Sequence, residues 1–206
     1  MILHDKKLIF FHIPRTGGTS MAYFLIGQKA KSPHKLSFQQ RKLVIDGKYG
    51  DYVKFCTVRD PLERLVSIYK CYREGGNKTD GDKRVQEYVN ELGFDKFMSM
   101  ASDAAGLQEL KDRFFQFSVM LVQQREWVLN GESSVVDFCV ALEDLNDFFL
   151  WLNKRYAMSK PLERRNKTEG QFVVSSDVKK AVYDLYADDL RIHQQALLLK
   201  KWQGFQ

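Results

Sequence analysis

No apolar run in this chain approaches the roughly 20 residues that a membrane-crossing helix needs, so no membrane span is expected. The segment Met1 to Lys7 leads straight into a strand-like run and carries no signal-peptide pattern. A cytoplasmic setting is the simplest expectation. Cysteine is scarce: Cys56, Cys71 and Cys139 are scattered within apolar patterns. They read as buried small hydrophobes in a reducing compartment, not as a disulfide framework. No Cys/His spacing suggests zinc, and no metal is expected. Also missing is the G-x-x-x-x-G-K-[ST] loop of nucleoside triphosphatases. There is no internal repeat, no linker and no low-complexity tract, so residues 1–206 read as one domain.

What is present is an ordinary globular composition, 44% hydrophobic and 28% charged, with a formal net charge of +6. The surplus favours an anionic partner: a nucleotide, an acidic polysaccharide, nucleic acid or a membrane surface. Charge alone does not choose among them, and many basic domains simply carry a solvated basic face.

The chain is organised around Phe10 to Ser20, F-F-H-I-P-R-T-G-G-T-S. Leu8 to Phe11 reads as a short buried strand stopped by Pro14. Gly17 and Gly18 allow a tight turn. Thr19 and Ser20 are expected to cap a helix running through Ile26. Strand, small-residue loop and helix N-terminus together make an anion site, because loop amides and the helix dipole converge there. Arg15 adds a planar fork of donors. Alone, the stretch also allows a second reading, less favoured, as a plain strand-to-helix turn.

A polar basic loop, Lys29 to His34, follows. Ser37 to Val44 is expected as a short helix capped by Ser37, and Tyr52 to Val58 as a second buried strand. Then comes Arg59-Asp60-Pro61-Leu62-Glu63-Arg64-Leu65-Val66-Ser67-Ile68-Tyr69. Pro61 suits the first turn of a helix, and Leu62, Leu65, Val66 and Tyr69 share one face. Arg59 is left at the end of the strand, where open α/β sheets bind ligands. It can fork onto a phosphate, with Ser67 donating from the helix. The competing reading pairs Arg59 and Arg64 with Asp60 and Glu63; it suits Arg64 better than Arg59.

These two turns, with a histidine loop between them, resemble the sulfotransferases that use 3′-phosphoadenosine 5′-phosphosulfate (PAPS), specifically the carbohydrate 2-O-sulfotransferase-like branch. The second turn fits that family's R-x-P-x-x-R-x-x-S-x-Y pattern without a gap; the first departs at one residue. The resemblance implies that Arg15, Thr16, Gly17, Gly18, Thr19 and Ser20 cradle the 5′-phosphosulfate. It implies that Arg59 and Ser67 hold the 3′-phosphate, and that His34, in H-K-L-S-F, is the catalytic base. An imidazole suits that task near neutral pH; a lone histidine in a basic loop is otherwise usually just solvated. Arg164, Arg165, Asn166, Lys167 and Thr168 lie in a late basic loop that closes over the nucleotide in the family. The departure is Arg15, where the family usually has Lys. Arg keeps the charge but stays protonated, so electrostatic stabilisation survives and proton donation does not.

Downstream, Gly75 to Arg84 is expected as a mobile polar loop and a candidate acceptor lid, or a plain surface insertion. Val85 to Leu92 and Phe94 to Ala101 read as helices. Leu107 to Leu129 reads as one long helix with an aromatic core face, on which Arg113, Gln123, Gln124 and Arg125 are candidates to line an acceptor groove. Val135 to Leu142 is a strand candidate, Glu143 to Tyr156 a helix, and Ser176 to Trp202 a closing helix. The expected fold is α/β: a three-layer, P-loop-like sandwich with a central, mainly parallel sheet flanked by helices. The expected activity is transfer of a sulfonyl group from PAPS, leaving 3′-phosphoadenosine 5′-phosphate (PAP), to a hydroxyl of a glycan or other small molecule, with an anionic glycan a reasonable acceptor for a basic protein. No nucleic-acid partner is expected. Two rivals stand beside it. One is a PAP- or anionic-glycan-binding protein of the same fold, weakly active or inactive because of Arg15. The other is a P-loop kinase or nucleotidase, which the missing Walker lysine disfavours.

Overall fold

A computed structural model describes residues 1–28, 33–158 and 172–205. Its strands are β1 (Ile2–Leu3), β2 (Leu8–Phe11), β3 (Val53–Val58), β4 (Leu129–Asn130), β5 (Ser133–Ser134) and β6 (Phe138–Ala141). The helices among the described residues are α1 (Gly18–Ile26), α2 (Pro33–Ile45), α3 (Pro61–Arg73), α4 (Asp80–Leu92), α5 (Phe94–Ala101), α6 (Ala104–Arg113), α7 (Phe115–Met120), α8 (Arg125–Val128), α9 (Leu145–Tyr156), α10 (Ser176–Leu185) and α11 (Ala187–Leu199). The chain forms two compact units: Met1–Arg59 with Gln124–Asn166 and Arg191–Gln206, and Asp60–Gln123 with Lys167–Leu190.

The first unit holds the central sheet, a mixed α/β arrangement with strand order β1-β2-β3-β6. β1 joins β2 antiparallel; β2, β3 and β6 run parallel. Every residue of β2 is fully buried, as a strand covered on both faces must be. Phe10, Phe55 and Phe138 are direct register partners across three strands. Their rings form a row with centroids 5.3 and 5.8 Å apart. Phe148 of α9 sits edge-on to Phe55 at 5.2 Å, and Trp151 and Trp202 extend the cluster. Phe24 of α1 meets Phe149 of α9 at 4.5 Å. Such aromatic pairs add about 0.5–1.5 kcal/mol each beyond the area they bury.

The second unit is helical, α3 to α7 with α10, around its own core of Leu65, Ile68, Tyr72, Val85, Val89, Phe97, Leu110 and Phe117. Asp60 caps α3 by accepting from the Glu63 amide at 3.0 Å, with Pro61 at the first position. Tyr183 donates its hydroxyl to the same carboxylate, and its phenol is pushed up to about 12 by burial and by Asp60. Arg64 is buried and donates to the Met120 carbonyl at 2.8 Å.

Several expected boundaries move. α2 begins at Pro33, four residues before the expected cap, so His34 lies in a first helical turn and Ser37 inside the helix. Proline at the first helical position is the local reason. Asp80 to Arg84 are the start of α4, not loop. Thr79 caps that helix by accepting from the Asp82 amide, while the Asp82 carboxylate accepts from Thr79 Oγ1 and the Asn77 amide. The expected long helix from 107 is three helices and a hairpin. Phe114 is extended (φ −139°, ψ 132°) between α6 and α7, and β4 turns into β5 at Gly131 with φ 62°. The closing helix breaks at Tyr186, whose buried hydroxyl donates to the Ala101 carbonyl at 3.2 Å.

Ser37 accepts a hydrogen bond from the His12 amide at 2.8 Å, and both groups are buried. Ser37→Ala leaves that donor without its acceptor, a loss of about 1–3 kcal/mol. Urea unfolding should show it, with Ser37→Thr retaining most of the stability.

Candidate active site

The turn after β2 is shaped by three constraints. Gly17 caps α1 in the left-handed region at φ 88°, and a Cβ there would lie 2.8 Å from Leu142 Cδ1. At Gly18 a Cβ would fall 2.2 Å from the His12 ring. Thr16 is fully buried, and its hydroxyl donates to the Ile13 carbonyl at 3.0 Å. With that hydrogen committed, Thr57 on β3 is the donor in the 3.0 Å contact between the two threonine hydroxyls. The bond knits the turn to the neighbouring strand.

The expected caps, Thr19 and Ser20, are the second and third residues of α1 instead. The helix begins with no side-chain cap and no acidic residue in its first turn. The first backbone amides of a helix lack intrahelical acceptors, and the dipole makes that end attractive to anions. Arg15 stands beside it, half-buried, at φ 65°. A non-glycine residue there carries a backbone cost of about 1–2 kcal/mol.

His34 is tied to this turn through His12. Its Nδ1 lies 3.1 Å from the His12 carbonyl oxygen, and the two rings meet edge-on at 4.8 Å. A carbonyl can only accept, so Nδ1 carries the proton and Nε2 is the basic nitrogen. Trp127, fully buried, approaches His34 edge-on at 6.3 Å and stacks with Phe38 at 3.8 Å.

Arg59 follows the last residue of β3, at the same end of the parallel sheet as the turn after β2. Its amide donates to Gln124 Oε1 at 2.9 Å, and its carbonyl accepts from Gln124 Nε2 at 2.7 Å. The Glu143 carboxylate feels the Arg59 charge and accepts from His193 Nε2 at 3.1 Å. The His193 hydrogen bond, more than any other cause, holds Glu143 below its ordinary value.

The first unit thus brings together Arg15, Thr16, Gly17, Gly18, Thr19, Ser20 and His34, with Arg59 on the adjacent strand. Ser67 is buried on α3 in the second unit. Arg164, Arg165, Asn166, Lys167 and Thr168 lie outside the described residues. Of the groove candidates, Gln124 is fully buried on Arg59, Gln123 donates to the Leu185 carbonyl, and Arg113 lies over the Tyr88 ring. Sequence reasoning missed His12, Trp127, Glu143 and His193. Only His12 carried a signal, standing between strand and turn. Among the described residues no cluster of His, Cys, Asp and Glu could hold a metal ion, and no helix is long and apolar enough to cross a membrane.

The structure is a mixed α/β arrangement: a mostly parallel central sheet flanked by helices, with the start of α1, Arg15 and Arg59 at the C-terminal ends of its parallel strands. The family follows from comparison: the model of the sulfotransferase family matches residues 1–194, and the chain belongs to that family. No curated protein and no solved structure matches it. The chain is therefore a transferase of sulfonyl groups, acting on a hydroxyl-bearing acceptor, in a family whose members generally use PAPS as donor.

Two outcomes follow. Arg15→Gly removes the left-handed strain at some cost in unfolded-state entropy, so stability holds or rises by up to about 1 kcal/mol. Sulfonyl transfer should nonetheless fall on the order of 10²-fold, and paired urea and activity assays would separate the two effects. For Glu143, the depressed carboxyl contributes stability above its unfolded value of 4.5 and loses it as pH falls through the folded value. Glu143→Gln should unfold at lower urea than wild type at neutral pH. The gap, small because the carboxylate is half exposed, should close on acidification below 4.5. A gap independent of pH would contradict the pairing.

Proposed function

We propose that this chain transfers the sulfonyl group of PAPS to a hydroxyl of a carbohydrate acceptor, as in the 2-O-sulfotransferase-like branch, on a P-loop-like three-layer scaffold. The observation that carries the reading is the bond from His34 to the His12 carbonyl. It hangs a base of defined tautomer from the same turn that offers the anion site. The turn fits a phosphosulfate: the helix end is uncapped, free of acid and flanked by Arg15. PAPS, when bound, supplies the activated sulfonyl group. Arg15, Gly17, Gly18, Thr19 and Ser20 hold its 5′ side, with Thr16 contributing through its backbone since its hydroxyl is engaged inside. Arg59 and Ser67 hold the 3′-phosphate; Arg165, Lys167 and Thr168 are further nucleotide ligands. His34 Nε2 takes the proton of the acceptor hydroxyl. Arg15 balances developing negative charge and delivers no proton. No metal enters this scheme. The net charge of +6 supports an anionic glycan as acceptor. The placing of Cys56, Cys71 and Cys139 within apolar patterns supports a cytoplasmic setting. One family model runs through segments of both units, which supports treating residues 1–206 as a single sulfotransferase-like domain.

Arg15 in place of the family's Lys favours one rival, a PAP-binding protein of the same fold without turnover. Calorimetry with PAP and 5′-AMP tests the site. Wild type should prefer PAP by roughly 10- to 100-fold, the worth of one charge-assisted contact, and Arg59→Ala should abolish the preference. His34→Ala should leave PAP affinity intact and lower kcat by about 10²- to 10⁴-fold. Equal binding of the two nucleotides would sink the reading. Tight PAP binding with no transfer to any member of a broad acceptor panel would favour the rival.

A further inference from the structure

We infer that Gln124 is a positioning residue for recognition of the donor's 3′-phosphate, acting through the backbone of Arg59. The inference rests on the reading of Arg59 given above. The parallel ladder between β3 and β6 runs as far as the register pair Val58 and Ala141. Arg59 is the next residue along the strand. There a side-chain carboxamide takes over from the sheet, receiving the Arg59 N–H at 2.9 Å and donating to the Arg59 C=O at 2.7 Å. A carboxamide offers a donor and an acceptor side by side, as a neighbouring strand would. Two bonds to one residue fix its φ and ψ, and with them the direction in which its Cβ sends the guanidinium.

Gln124 is itself well held. It is fully buried, and its carbonyl accepts from the Trp127 amide at 3.0 Å as α8 begins. Its separation from Arg59 by 65 residues makes the contact tertiary. A buried carboxamide with nothing to pair would cost more than it contributes, and here both its oxygen and its nitrogen engage Arg59. The guanidinium also answers to Glu143, whose carboxylate feels its charge. Glu143 acts on the head of Arg59 and Gln124 on its root. A head aimed by its root should discriminate ligands that differ only at the 3′ position. It should be indifferent to the 5′ side, which the turn after β2 holds.

The test is a double-mutant cycle read by calorimetry with PAP and 5′-AMP, on wild type, Gln124→Met, Arg59→Ala and the double variant. Gln124→Met keeps length and loses both hydrogen bonds. It should weaken PAP binding roughly tenfold, as expected for a pair of neutral hydrogen bonds, and leave 5′-AMP binding within about twofold. In the Arg59→Ala background it should change neither. Gln124→Glu, which keeps the acceptor for the Arg59 amide, should fall between Gln124→Met and wild type in PAP affinity, and it serves as the variant of record if Gln124→Met does not fold. A PAP preference kept in these variants, an equal loss for both nucleotides, or full additivity with Arg59→Ala would each overturn the positioning role alone. No preference for PAP in wild type would overturn the role together with the assignment of Arg59.

Discussion

The candidate site depends on how the chain leaves β2 at His12. Its amide is received by Ser37, its carbonyl by His34, and its ring by the space that Gly18 leaves open. The first bond ties α2 to the end of the strand. The second sets the tautomer of the histidine that begins α2. The third brings the start of α1 against the same residue. A single buried residue therefore locates the start of α1 and His34, the two parts of the proposed site, with respect to each other. Preorganisation of this kind is what lets a group act without reorganising at the moment of reaction.

Much of this was readable from the sequence, for identifiable reasons. β2, β3 and β6 are short apolar runs with turn signals on either side, and α3 starts with Asp-Pro at a strand end. Local chemistry decides those elements, so pattern finds them. The glycine pair and Arg59 stood out because small residues and a lone cation at strand ends have few other uses. What the sequence hid was set by tertiary packing. The apolar spacing of Leu107, Leu110, Phe114 and Phe117 continues unbroken past Phe114, and only the fold makes that residue extended. Tyr186 likewise keeps the helical period but is held by Ala101, 85 positions earlier. Gln124 looked like a groove residue because a glutamine in a polar run gives no hint that its carboxamide will stand in for a strand.

The segment from Gln124 to Trp127 shows how few residues can serve both halves of the chemistry. Gln124 holds the backbone of Arg59, and Trp127, three residues on, backs His34 with an edge-on contact and stacks with Phe38. One end of this turn supports the arginine proposed to hold the donor, and the other the histidine proposed as the acceptor's base. A change in the turn should therefore disturb both, and the two sides should separate only when each end is altered in turn.

Arg15 is the position where sequence, backbone and chemistry pull apart. The resemblance drawn from the sequence implies Lys there, and the left-handed backbone favours Gly or Asn. A residue that suits neither preference holds its place against a conformational cost that its neighbours cover. Thr16 does so through its bonds to Ile13 and Thr57, and Gly17 through a turn at φ 88° in which a Cβ would press on Leu142. Strain of this sort collects at functional turns because the surrounding bonds over-determine the backbone. The fixed charge and planar fork of Arg suit an oxyanion-rich group better than they suit solvent. That argues for contact with the donor, while the loss of a removable proton limits the contact to electrostatics. In the proposed scheme the acid–base work then falls to His34. This is why the tautomer imposed by His12 matters more in this chain than it would in one that kept a lysine.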